Sequence, residues 1–336
     1  MISLPERINL ANLPTRIEKL GSVSGSKGDP VVYIKRDDET GMETSGNKIR
    51  KLEYSIKEAL DERCNCLITC GGIQSNHCRA TVAAGAKLGM KVCIVLQGDP
   101  VSEYDGNLFL DKLLGADIRF VSPVEYKQNK TEIMEHIKKE MESQNLRPYI
   151  IPSGASNGIG AFGYYTALQE IMKQEDEMGL CFDCIVVAVG SGGTYSGLFL
   201  ARTILAQDRS IYGISVSDGA AKCRRTIAEI LDESSSYLNI NLSYSPDDIK
   251  IVDKYVGKGY GLSSQNELQF IADFARKEGI VLDPVYTGKA MYGLATEIEK
   301  GFFDAHHNIL FIHTGGIFDI FAYKNLFESY VWNRDS

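Results

Sequence analysis

The chain has 336 residues, 44% hydrophobic and 24% charged, enough to bury one large core or two moderate ones and too apolar for a disordered segment. Its 36 basic and 44 acidic residues give a formal net charge of -8, which argues against a nucleic-acid backbone or an anionic membrane as partner. Met1 to Arg7 show no charged region leading into an apolar run, and no later stretch reaches transmembrane length, so the expected location is cytoplasmic.

Val31 to Lys35 reads as the first strand, and Ser45-Gly46-Asn47-Lys48-Ile49-Arg50-Lys51 follows as a small polar turn opening an amphipathic helix. A lysine there can be a nucleophile or base if its pKa is lowered, or if a cofactor aldehyde holds it as an imine. Taken alone, the segment is that of an ordinary solvated lysine. Cys66 to Cys70 is the next strand, and it ends in Gly71-Gly72-Ile73-Gln74-Ser75-Asn76-His77 before an alanine-rich helix from near Cys78. Backbone N–H groups, a hydroxyl and an amide at a helix start suit a carboxylate or phosphate, although Ser75 or Asn76 singly is as well read as an N-cap.

Lys91 to Leu96 and Asp117 to Val121 are further strands, the second followed by a charged helix over Lys130 to Ser143. Ser153-Gly154-Ala155-Ser156-Asn157-Gly158 is a short glycine-containing connection at which a domain boundary would fall. Cys184 to Val189, Ser210 to Val216 and Ile309 to His313 look buried on both faces, with helices over Gly193 to Ala206 and Asn266 to Lys277 between them. This alternation is that of an α/β chain with parallel sheets. Ligands in such sheets bind at the carboxyl ends of strands.

After the strand ending at Val189 comes Gly190-Ser191-Gly192-Gly193-Thr194-Tyr195-Ser196-Gly197, in which glycines allow close approach to an oxyanion and Ser191 and Thr194 add hydroxyls. It lacks the lysine of a P-loop and the spacing of a dinucleotide fingerprint, so a phosphate monoester fits better than a nucleotide. Asp283-Pro284-Val285-Tyr286-Thr287-Gly288-Lys289 gives a turn with a tyrosine and a threonine before a helix, and Thr314 ends the last strand. Of eight cysteines most lie in apolar segments and read as reduced; Cys181 and Cys184 have metal-site spacing with no second pair to complete a set, so no metal is expected.

A lysine able to form an imine, a phosphate cradle and a carboxylate turn on one kind of sheet are the requirements of a pyridoxal-phosphate (PLP) enzyme acting on an amino acid. Ser45 to Tyr54, Gly71 to His77, Asp283 to Ala290 and His313 to Gly316 together resemble the D-cysteine desulfhydrase and 1-aminocyclopropane-1-carboxylate deaminase family, collinearly from the first strand to the last. These are tryptophan-synthase-β-like, or fold type II, PLP enzymes. The resemblance implies two open parallel-sheet α/β domains, a larger cofactor-binding one from residues 1–48 plus 158–336 and a smaller one over 49–157, with the site in the cleft between. It makes Lys48 the Schiff-base lysine and the base for the substrate α-proton, and puts Lys51 with Gly190, Ser191, Gly192, Gly193 and Thr194 at the phosphate. It implies Asn76 near the ring hydroxyl, Ser75, Asn76 and His77 at the substrate carboxylate, Tyr260 and Tyr286 as the active-site tyrosines, and Thr287 and Thr314 near the pyridine nitrogen.

Deaminases that open a cyclopropane ring resemble Tyr-Glu where this chain has Tyr286-Thr287, the carboxylate holding a proton on the ring nitrogen. A neutral hydroxyl holds it less well, which favours prompt β-elimination, most simply of D-cysteine to pyruvate, ammonia and hydrogen sulfide, the D-configuration resting on the resemblance. The cyclopropane amino acid and cysteate are alternative substrates, and a non-catalytic PLP or amino-acid binding protein or a structural α/β domain are alternative classes. Three departures are expected near the substrate: Ile317-Phe318-Asp319-Ile320-Phe321 where relatives carry a Pro-Ala-Leu-Phe-like run, Tyr195 for a smaller side chain or an imidazole, and Ala155 for a glycine. A homodimer is the assembly the resemblance implies.

Overall fold

Ten strands form two sheets in the computed structural model, which describes residues 2–23 and 30–331; the ends of the expected larger domain and residues 24–29 lie outside the described residues. The strands are β1 (Ile17–Lys19), β2 (Val31–Lys35), β3 (Cys66–Gly72), β4 (Lys91–Gln97), β5 (Asp117–Val121), β6 (Pro148–Ile150), β7 (Cys184–Val189), β8 (Ser210–Ser215), β9 (Lys250–Val252) and β10 (Asn308–Ile312). The larger sheet runs β1-β2-β10-β7-β8-β9 and the smaller β5-β4-β3-β6. Every pairing is parallel except β1 with β2, which is antiparallel, so the α/β class holds with one reversed edge.

Eleven helices accompany them: α1 (Lys48–Asp61), α2 (Asn76–Lys87), α3 (Gly106–Leu113), α4 (Pro123–Ser143), α5 (Gly158–Met178), α6 (Gly193–Ile204), α7 (Ala220–Leu238), α8 (Gln265–Glu278), α9 (Thr287–Glu299), α10 (Asp319–Ala322) and α11 (Glu328–Val331). β7 shows why the sheets are covered on both sides. Cys184, Val186 and Ala188 join the core under α8 and α9, whereas Ile185, Val187 and Val189 join the one under α5, α6 and α7. Period-2 alternation of apolar residues thus feeds two cores, each buried valine or isoleucine contributing roughly 1.5–3 kcal/mol. The smaller sheet is covered likewise by α1 and α2 on one face and α4 on the other.

Several elements differ from the sequence expectation. β1, β6 and β9 are three residues each, too short to show a period. α4 begins at Pro123, well before Lys130, because Ser122 and Glu125 form a capping box. α2 begins at Asn76 with Ser75 as its N-cap. The segment after β10 is divided into α10, a 3-10 turn over Lys324–Phe327 and α11. All eight cysteines are free, and among the described residues no helix is long and apolar enough to cross a membrane and no acid, histidine and cysteine group could hold a metal.

In each sheet the strand order reverses beside a central strand, with β10 next to β7 in one and β6 next to β3 in the other. The loops after these four strands are where the two sheets offer binding crevices. α1 reaches between them and is clamped to the larger sheet's side. Arg50 donates to Asp37 at 2.9 and 2.8 Å and to Glu170 on α5 at 2.9 and 3.0 Å, and Lys35 on β2 donates to Glu170 at 2.7 Å. All four of these donor and acceptor groups are buried or nearly so. The helix crossing is tight: a Cβ at Gly163 would sit 2.5 Å from the Arg50 carbonyl.

Candidate active site

A cavity of about 1070 Å3 opens between the sheets at those loops. Its floor is the start of α1. Gly46 has φ +103, and a Cβ there would lie 2.8 Å from the Thr314 carbonyl, so only glycine lets the turn pass beneath the β10 loop. Asn47 is tied to the larger sheet's loops twice, its N–H to the Thr314 carbonyl at 3.1 Å and its Nδ2 to Thr194 Oγ1 at 2.8 Å. That leaves Asn47 Oδ1 to accept from Lys48 Nζ at 2.9 Å. The Lys48 ammonium also lies 5.4 Å from the centre of the Tyr286 ring. Burial lowers its pKa to about 8 against the opposing pull of Asp283, with Arg79 helping to lower it.

In the cofactor-free chain about a tenth of Lys48 is therefore neutral at pH 7, far more than for a surface lysine. Competitive labelling with a small aldehyde should find Lys48 the fastest-reacting lysine, with a rate that rises with pH and levels off above about 8. A Lys48 rate still climbing at pH 10 would show an ordinary lysine.

Lys51, one turn on, is fully buried, and its Nζ donates to the Gly154 carbonyl and, at 3.2 Å, to Ser156 Oγ. Neither partner is an anion. Burial and the charge of Lys48 hold it well below the usual lysine pKa. Above it the loop after β7 enters α6 through Gly192 at φ +86, with the Gly193 N–H 3.3 Å from Ser156 Oγ. A Cβ on Gly193 would meet Ser156 Oγ at 2.6 Å, and one on Gly154 would meet Ser191 Oγ at 2.5 Å. Two loops, one from each sheet, thus build a cradle of glycines, hydroxyls, helix N-terminal N–H groups and a cation without a counter-ion, which fits a phosphate monoester.

On the smaller sheet, Ser75 Oγ accepts from Cys78 N at 3.1 Å, so it caps α2 and keeps its own proton to donate. Asn76 Nδ2 donates to Asp319 Oδ2 at 3.0 Å. His77 is not the donor that a carboxylate site asks for. Thr69 Oγ1 gives its proton to the Ile151 carbonyl at 2.7 Å, so His77 Nε2, 2.7 Å away, must be the donor to Thr69. Burial, Lys48 and Lys51 keep the ring neutral, and its Nδ1 is a buried acceptor with no partner. Any carboxylate contact from this turn falls to the Ser75 hydroxyl and the first N–H groups of α2.

Across the cavity the Tyr260 and Tyr286 hydroxyls are 2.5 Å apart. The Tyr260 loop is held by Lys289, which donates to the Val256 and Gly259 carbonyls at 3.0 and 2.8 Å. Burial raises both phenol pKa values, so they stand as protonated donors. Thr314 lines the cavity, but Thr287 does not: it is fully buried, and its hydroxyl is spent on Asp283 at 2.6 Å and on accepting from Asp283 N at 2.9 Å. Tyr195 likewise lies away from the cavity, its hydroxyl between the Ile211 carbonyl and Lys250 N in the core. Residues that the sequence reading passed over include Ser156 in the cradle, Tyr126 and Lys127 of α4 in the wall, and the buried Arg79; Asp319, from the run expected near the substrate, is buried against Asn76. The early start of α4 is what brings its first turns to the site.

Residues 8–315 match the family model described as pyridoxal-phosphate dependent enzyme. A bifunctional D-cysteine desulfhydrase/1-aminocyclopropane-1-carboxylate deaminase of Arabidopsis thaliana is 38% identical, over 97% of this chain and 82% of its own. D-cysteine desulfhydrase of Yersinia enterocolitica is 37% identical over 94% of this chain and 96% of its own. Among solved structures, an ACC deaminase homologue superposes with a TM-score of 0.87 at 38% identity, covering 97% of this chain and 96% of that one.

Proposed function

The chain belongs to the 1-aminocyclopropane-1-carboxylate deaminase and D-cysteine desulfhydrase family of fold type II PLP-dependent enzymes, and on that premise we propose that it eliminates the β-substituent of a small amino acid, D-cysteine first. Bound PLP would supply an electron sink for the pair left on Cα when the α-proton departs. Its phosphate would lie in the cradle of Lys51, Ser191 to Thr194 and Ser156, with Thr314 at the ring's neutral edge. The same reading takes residues 49–157 as the smaller body, carrying the carboxylate turn, and residues 1–48 plus 158–336 as the larger one.

In this reading Lys48 Nζ takes the proton from Cα, a task suited to an amine whose neutral form is already accessible near neutral pH. The Ser75 hydroxyl and the α2 N-terminus orient the substrate carboxylate. Of the protonated pair Tyr286 and Tyr260, one hydroxyl donates to the other, and the second proton hydrogen-bonds the departing sulfur. The observation that supports elimination over ring opening is the character of the wall beside Lys48. Among the described residues the cavity is lined by hydroxyls, amides, His77 and lysines, and the one carboxylate lining it, Asp218, is paired with Lys222 at 2.7 Å. With no acid at the ring, a promptly expelled leaving group is the easier course.

More relatives carry the deaminase name than the desulfhydrase name, which favours ring opening as the second reading. Incubation with D-cysteine, L-cysteine, cysteate and the cyclopropane amino acid, assayed for sulfide, sulfite and keto acids, separates them. Sulfide and pyruvate in equal amounts from D-cysteine is the expected outcome. 2-Oxobutanoate from the cyclopropane, with no sulfide, would overturn it.

A further inference from the structure

Asp319, at the start of α10, is fully buried and lies where the run after the last Thr-Gly-Gly departs from the pattern expected of relatives. It terminates a chain of hydrogen bonds whose direction is fixed by chemistry. Arg79 can only donate, so the Asn107 atom 2.7 Å from its Nε is the carbonyl oxygen. Asn107 Nδ2 therefore faces the Gln74 carbonyl at 3.1 Å and Asn76 at 2.9 Å, which requires the Asn76 atom there to be Oδ1. Asn76 must then turn its NH2 group the other way, where Asp319 Oδ2 accepts at 3.0 Å.

One N–H of Asn76 is held by Asp319 and the other is left for the cavity that Asn76 lines. The segment bearing Asp319 is pressed onto the smaller sheet's helices at further points. Arg79 stacks 5.0 Å from the Phe318 ring centre, Lys324 pairs with Asp105 at 2.8 Å, and a Cβ on Gly106, whose φ is +57, would lie 2.6 Å from the Phe318 carbonyl.

We propose that Asp319 is a positioning residue of the reaction: as the acceptor at the end of the Arg79–Asn107–Asn76 relay, it fixes the Asn76 amide so that an N–H faces the cofactor ring, and it ties the segment after β10 to the helices of the smaller sheet. The proposal rests on the PLP reading. Removing the acceptor leaves the amide held only through its Oδ1 by Asn107, so that its NH2 end shifts by a few tenths of an ångström and the contacts that this end makes with the bound group weaken.

The test titrates cofactor-free protein with PLP, read by absorbance, and then measures turnover. Asp319→Ala should weaken PLP binding about tenfold and lower kcat about tenfold with KM little changed. Asp319→Asn keeps a carbonyl acceptor and should stay within about threefold of the parent on both measures. In an Asn76→Ala background Asp319→Ala should change PLP affinity less than about twofold, because the residue through which it acts is gone. The inference is overturned if Asp319→Ala binds PLP like the parent, if Asp319→Asn is as impaired as Asp319→Ala, or if the effect persists undiminished beside Asn76→Ala. A parent chain that binds no PLP at all would instead bring down the cofactor reading itself.

Discussion

Lys48→Ala lowers kcat by about 10^4-fold or more and removes the absorbance band of lysine-bound cofactor near the visible edge, while the chain still folds. The size follows from what the side chain holds. Its Nζ is the amine beside the Tyr286 ring, and its pKa of about 8 makes it available as a base. Lys51 is the nearest other amine, but its Nζ is bound to Gly154 and Ser156 in the cradle and cannot substitute. Stability should change little, because the alanine leaves no anion unpaired: Lys48 donates only to the neutral Asn47 amide. Full retention of the band in this variant would assign the imine to a different lysine. A parent chain with no band would overturn the cofactor reading and support a structural protein.

Arg50→Ala should destabilise the chain by about 3–5 kcal/mol, read from urea melts, because Asp37 then remains buried without its ion-pair partner and Glu170 keeps only Lys35. The effect has a pH signature. Burial alone would raise both carboxyls, but Arg50 outweighs it and holds each below its ordinary value. A lowered folded pKa gives stability that is complete above the unfolded value of about 4 and is lost as the pH falls through the folded one. Without Arg50 the advantage disappears, so the difference between parent and variant should be large at pH 7 and shrink toward pH 3. Activity should fall in kcat more than in KM, since the clamp sits two residues from Lys48. A melt that coincides with the parent's at pH 7 would show that the cluster holds nothing.

The strands that the sequence showed best were those with apolar residues at every position. Cys184–Val189 appears with the limits its composition suggests, because a strand buried between helices has to be apolar throughout, whereas the edge strand Asp117–Val121 exposes Asp117 and Arg119 and shows through its alternation. Glycine and hydroxyl runs after strands were equally legible, and the structure gathers those after β3 and β7 with Lys48 and Lys51 around one cavity. Buried polar residues were not. Arg79 carries no sequence signal, and Asp319 stands out only as part of a run expected near the substrate, until tertiary contact supplies Asn107 and Asn76. Thr287 misled for a related reason. Successive residues at a helix start point about 100° apart, so a turn that directs Tyr286 into the cavity directs its neighbour elsewhere, here to Asp283. His77 misled through its partner: a histidine beside a substrate turn looks like a donor, and only Thr69 shows that its proton is already given away.

The clamp on α1 and the turn on α2 belong to different sheets. Lys48 and Gly193 are held from the larger sheet's side, the start of α1 through Arg50 and the Gly163 crossing, whereas Ser75 rides on the smaller sheet and Lys51 bridges to the loop after β6. Reactivity and recognition are therefore separately heritable in this chain. Substitutions at Ser75 can retune which amino acid is held while leaving the amine in its place, and a library seeking new leaving groups belongs there rather than near α1.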